Sequence, residues 1–157
     1  MKSETTRRAA LARAGLATAG LGALAAGFAP RVSAAESSPA EKANVQLVND
    51  FCAAWAGHES TKIMSFFADT CAYRMTETME PNRGREAVSS RVTPLAPTVQ
   101  GFEVLDTWAR GPLVINERVD HFSSGALKSW HGVGVFFMKD GKIVEWYDYT
   151  IAMERRS

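Results

Sequence analysis

From about residue 101 to residue 151, apolar and polar residues alternate along the chain, the period-two pattern of half-buried strands. The pattern predicts four strands, at about 101–109, 113–122, 127–138 and 143–151. The turns between them fall at Arg110-Gly111-Pro112, Ser123-Ser124-Gly125 and Asp140-Gly141, the last a strong hairpin signal. Before Pro97 the spacing is helical. Ser38, Pro39 and Glu41 read as an N-cap, a first-turn proline and a capping box. Val45, Val48, Cys52 and Trp55 then recur on one face, widened by Leu47 and Phe51, and Gly57 ends the helix. A short helix from about Ser60 buries Ile63, Met64, Phe66 and Phe67. A short strand covers Thr70–Met75, with Cys71, Tyr73 and Met75 on one face, and residues 77–83 form a loop. A third helix spans Gly84–Val92 and is stopped by Pro94. Helices first and a meander afterwards predict an α+β domain. Its helices pack on one face of a curved antiparallel sheet and close it into a cone whose mouth can hold a small molecule.

The strand at 113–122 carries chemistry. Val114, Asn116, Arg118, Asp120 and Phe122 share one face, and a guanidinium and a carboxylate stand two residues apart on a mostly apolar strand. A solvated surface pair is one reading. A buried pair in a pocket, its desolvation cost offset by a function, is the other. Near the C-terminus Val144, Trp146, Asp148 and Thr150 share a face, so Asp148 also stands among apolar neighbours.

The first 34 residues read as a leader, not as fold. Arg7 and Arg8 precede a weakly apolar, Ala- and Gly-rich run from Gly15 to Phe28, and Val32-Ser33-Ala34 suits a signal peptidase. The adjacent arginines point to the twin-arginine type of export signal, with cleavage near Ala34 or Ala35. The run is too short and too rich in glycine for a good membrane anchor. The expected location is therefore periplasmic or secreted. The chain has 18 basic and 17 acidic residues; taking away the leader's five basic residues and one acidic residue leaves 13 and 16, a net charge of −3. A slightly acidic domain over residues 35–157, without a basic stripe, argues against a nucleic-acid partner. His58, His121 and His131 are scattered, which predicts no metal site, and no Gly-rich phosphate loop follows a strand, so no cofactor is expected. Cys52 and Cys71 are expected to be free, buried thiols.

Glu117-Arg-Val-Asp120, Gly134-Val-Phe136, Asp140-Gly-Lys-Ile143 and Trp146-Tyr-Asp-Tyr149, with Tyr73 and Gly84-Arg-Glu-Ala-Val88 upstream, resemble limonene-1,2-epoxide hydrolase. That family shares its cone-shaped fold with nuclear transport factor 2, ketosteroid isomerase and SnoaL-like cyclases. The resemblance covers about residues 40–152. It implies that Asp120 is the acid that protonates the epoxide oxygen, Asp148 the base that takes a proton from water, Arg118 the bridge between them, and Tyr73 a holder of the water. It also implies a homodimer, and a small apolar substrate of terpenoid, steroid or polyketide type. Met75, Val114, Phe122, Val133, Val135, Trp146 and Thr150 are the expected pocket wall. One departure stands out: where the family has a water-binding Asn two residues after the Tyr, this chain has Met75, with Thr76, Thr78 and Asn82 as nearby polar residues. A SnoaL-like cyclase, a ketosteroid-isomerase-like enzyme and a non-catalytic ligand carrier are the alternative functions on the same fold.

Overall fold

The computed structural model describes residues 36–157; the expected leader, with its export signal, falls outside them. Helix α1 (Pro39–Ala54) starts as its sequence requires. The Ser38 hydroxyl accepts from the Glu41 N–H at 3.2 Å, and the Glu41 carboxylate accepts from the Ser38 N–H at 2.7 Å. A single 3₁₀ turn (Trp55–Gly57) and the short α2 (Ser60–Met64) lead into strand β1 (Phe67–Arg74). The two-residue β2 (Asn82–Arg83) precedes α3 (Arg85–Leu95), and a 3₁₀ turn (Ala96–Thr98) follows. Strands β3 (Val99–Arg110), β4 (Leu113–Phe122), β5 (Leu127–Lys139) and β6 (Lys142–Arg155) complete the chain. They form the expected meander in one sheet of order β2-β1-β6-β5-β4-β3.

Four expectations need correction. β1 begins at Phe67, so Phe67 belongs to a strand and not to the second helix. Residues 82 and 83 pair antiparallel with β1 instead of lying wholly in a loop. The sheet is not antiparallel throughout, because β1 runs parallel to β6. Pro94 does not stop α3 but sits inside its last turn. It removes one N–H there, next to the end where the ladder is about to finish anyway.

The inner face of the sheet follows strict alternation. On β4, Val114, Asn116, Arg118 and Asp120 are buried and their neighbours only half-buried. On β5 the buried set is Trp130, Gly132, Gly134, Phe136 and Met138. Helix α1 lays Val48, Phe51, Cys52 and Trp55 across this face. Phe51 is the hub: its ring meets those of Trp55, Phe66, Phe67, Phe136 and Trp146 edge-on at 5.0–6.0 Å. Register irregularities in β3/β4 and β5/β6 mark bulges, which bend the sheet around the core. Cys52 and Cys71 are buried and unpaired.

Candidate active site

Register brings the charged residues together. Asn116 of β4 pairs with Gly134 of β5, and Gly134 pairs with Asp148 of β6. Both partners of Gly134 therefore face inward across a strand position that has no side chain. The Arg118 side chain uses that space. A methyl group built on Gly134 would lie 2.5 Å from Arg118 Nη1, so glycine there makes room for the guanidinium. Gly132 does the same for the indole of Trp130, on which an added methyl would fall.

Arg118 is fully buried and holds two carboxylates. Its Nε donates to Asp120 Oδ1 at 2.8 Å, and its Nη2 donates to Asp148 Oδ1 at 3.0 Å. The rings of Phe102, Trp130 and Trp146 surround the guanidinium with their centroids 4.8–5.4 Å from it. Asp148 Oδ1 also accepts from Trp146 Nε1 at 2.7 Å, which leaves Oδ2 clear of both donors. Tyr73 stacks on Trp146 at 4.1 Å and an interplanar angle of 20°. Below the cluster, the Cys52 thiol donates to Asn116 Oδ1, Asn116 Nδ2 donates to Thr107 Oγ1, and Thr107 donates to Asn49. This chain of polar contacts ties α1 to the strand that carries Arg118.

Burial sets the electrostatics. It pushes Asp120 up to about 6 against the opposing pull of Arg118. It pushes Asp148 up to about 7, again against Arg118 and with the charge of Asp120 adding to the rise. Burial alone would lower Arg118, but its two carboxylates outweigh that and keep it charged. Tyr73 is held well above the usual phenol range by burial and then by Asp148, so its hydroxyl stays neutral. Burial also lifts the Cys52 thiol to about 12, which leaves it an inert donor.

The cluster lies on a cavity of about 300 Å³, with Tyr73, Asp120 and Asp148 in its wall. Met75, Phe122 and Trp146 line the cavity as expected. Four expected wall residues lie elsewhere. Val133 and Val135 sit on the other side of the sheet, because the inner positions of β5 are taken by Trp130, Gly132, Gly134 and Phe136. Val114 is buried in the apolar core instead of lining the cavity. Thr150 stands behind Trp130, accepting from its Nε1 at 3.1 Å, and the Glu77 carboxylate accepts from the Thr150 N–H and hydroxyl. Residues not singled out from sequence extend the wall: Leu95, Val99, Phe102, Leu127 and Met153. Trp130, read from the sequence as core or pocket wall, lines the cavity from the face it shares with the two inward glycines by period two. Of the polar residues near Met75, Thr76 lines the cavity, whereas the Asn82 amide is spent on the Tyr73 carbonyl at 3.3 Å.

Residues 48–146 match the family described as SnoaL-like domain. The chain belongs to the SnoaL-like family. Its six-stranded sheet and N-terminal helices make the nuclear-transport-factor-2-like fold. Among solved structures, an LEH-like epoxide hydrolase from M. tuberculosis is similar at 25% identity and a TM-score of 0.62, over 71% of this chain and 85% of that one. A candidate SnoaL-like polyketide cyclase from a Jannaschia species matches at 14% identity and a TM-score of 0.63, over 74% of this chain and 90% of that one. A Catenulispora acidiphila protein with a ketosteroid isomerase-like fold, crystallised with trimethylamine, matches at 17% identity and a TM-score of 0.57, over 66% and 84%. The last two likenesses speak for the fold alone.

Proposed function

We propose that this SnoaL-like protein adds water to apolar epoxides in one step by acid–base catalysis. The observation that carries the reading is Arg118 holding Asp120 and Asp148 at 2.8 and 3.0 Å beside an apolar cavity. Two carboxyls on one buried cation resist ionising together, so near neutral pH the pair keeps one proton. In the reaction Asp148 Oδ2 takes a proton from a water held by Tyr73. The water oxygen bonds to an epoxide carbon while that carbon's bond to the ring oxygen breaks. Asp120 gives its proton to the ring oxygen, and a diol results. The reactive arrangement has the proton on Asp120 and leaves Asp148 ionised; burial raises both carboxyls, so the pair shares that proton. Arg118 stays charged throughout and passes the electrostatic balance between the two acids.

Met75 favours a second reading. Where a third water ligand would stand there is a thioether, a poor hydrogen-bond partner. The same Asp148 could then act on a carbon-bound proton, as in an isomerase or cyclase. Incubation with alicyclic epoxides, and separately with apolar ketones in deuterated water, tests the two. Diol formation is the expected result, and deuterium uptake next to the carbonyl without diol would shift the assignment to proton transfer.

The proposal includes a homodimer. The outer face of the sheet leaves Trp108, Phe137 and Tyr149 exposed, with Leu105 and Ile151 exposed at the β3 and β6 bulges, an apolar area suited to a second copy. It also includes export through the twin-arginine route, which mass spectrometry of the secreted protein checks as a new N-terminus near Ala34 or Ala35.

A further inference from the structure

Arg118 gives its Nε and Nη2 to two carboxylates, whereas a second arginine near the cavity meets none. Arg91 lies on α3, one turn before Leu95, which lines the cavity, so the two side chains share a face of the helix. Its Nη2 lies 3.3 Å from the sulfur of Met75, also a cavity residue. Its Nε is buried and has no hydrogen-bond partner. Among the described residues Arg91 makes no ion pair with a carboxylate. It is also close enough to Tyr73 for its charge to act on that hydroxyl.

This arrangement is costly as it stands. A buried guanidinium N–H without an acceptor forfeits about 1–3 kcal/mol, and a thioether repays little of it. What separates Arg91 from the cavity is Met75, an unbranched side chain that changes shape easily. We propose that Arg91 is the specificity residue for a carboxylate on an otherwise apolar substrate, and that Met75 is the movable partition between them. The inference rests on reading the cavity as the substrate site and adds the substrate class: an apolar acid. A carboxylate fits one guanidinium, because its two oxygens match two parallel N–H donors. With the carboxylate on Arg91, the apolar body of the substrate extends along Leu95, Val99 and Phe122 toward Asp120 and Asp148.

The test is a binding measurement on the full chain, with decanoate and 1-decanol as matched probes, followed by calorimetry at about pH 7, where the acid is ionised. It needs no turnover, so failure of the hydrolase reading leaves it intact. Decanoate is expected to bind at least about tenfold more tightly than decanol, the value of one charge-assisted contact. Arg91→Gln should bring the ratio close to one, whereas Arg91→Lys should keep part of it. Met75→Ala removes the partition and leaves the native arginine, and its ratio should be preserved or raised. Equal affinity for the two probes in the native chain would overturn the proposal, as would a ratio that survives Arg91→Gln or is lost in Met75→Ala.

Discussion

The two faces of one sheet carry the same kinds of residue to different ends. On the inner face Arg118, Asp120 and Asp148 are at most 7% exposed, and aromatic rings close around them. On the outer face His131 meets Glu117 at 2.8 Å and His121 meets Glu103 at 3.1 Å, with all four side chains 31–61% exposed. Arg118 and Glu117 are neighbours in sequence, so strand alternation alone sends them to opposite environments. Water screens the outer pairs, and such pairs contribute about 0–1 kcal/mol. The inner cluster is shielded from bulk water, so each member depends on the others. The lesson is that burial, more than charge or distance, separates a reactive cluster from a surface ornament.

Substitutions can break this contrast, and the largest effect is expected at Arg118. Arg118→Ala strands two carboxyls in an apolar site; it should abolish turnover and cost about 3–5 kcal/mol in a denaturant melt. Asp120→Asn and Asp148→Asn each remove one half of the proton traffic. Each should lower kcat/KM by about 10² to 10⁴-fold with the fold intact by circular dichroism.

The pH profile sharpens the same point. Activity needs one proton on the pair, so kcat/KM should be bell-shaped, with its maximum between about 6 and about 7. Stability follows with a definite sign. Both carboxyls have folded-state values above the ordinary 3.8, so the folded state binds protons more tightly than the unfolded one. Their contribution to stability is present below about pH 4 and is lost as the pH rises through about 7. A series of melting temperatures should show that fall in the native chain and a shallower one in Asp148→Asn. The smallest effect is expected outside: Glu117→Gln should change stability by less than about 1 kcal/mol.

What could be read from the sequence was local. The capping box at Ser38 and Glu41 and the hairpin at Asp140-Gly141, whose φ values of 50° and 69° are both left-handed, are set by adjacent residues. The pairing of Arg118 with Asp120 was legible for the same reason, as i and i+2 on one strand. The parallel docking of β1 on β6 was not, because it joins segments some seventy residues apart without a turn to announce it. The facing of β5 was missed on different grounds. Val133 and Val135 mark the segment as a strand, but the inner positions went to Gly132 and Gly134 because Trp130 and Arg118 needed the room. Arg91 gave no sign at all, since an arginine on a helix ordinarily reads as a solvated residue.

The central claim is that water attacks directly while the two carboxyls only move protons. Single turnover in ¹⁸O-labelled water, with enzyme in excess over an apolar epoxide, tests it. Direct attack places the label in the diol on the first turnover and leaves none in the protein. An unlabelled first-turnover diol, with label entering Asp120 or Asp148 on later cycles, would mean a covalent ester and would contradict the account.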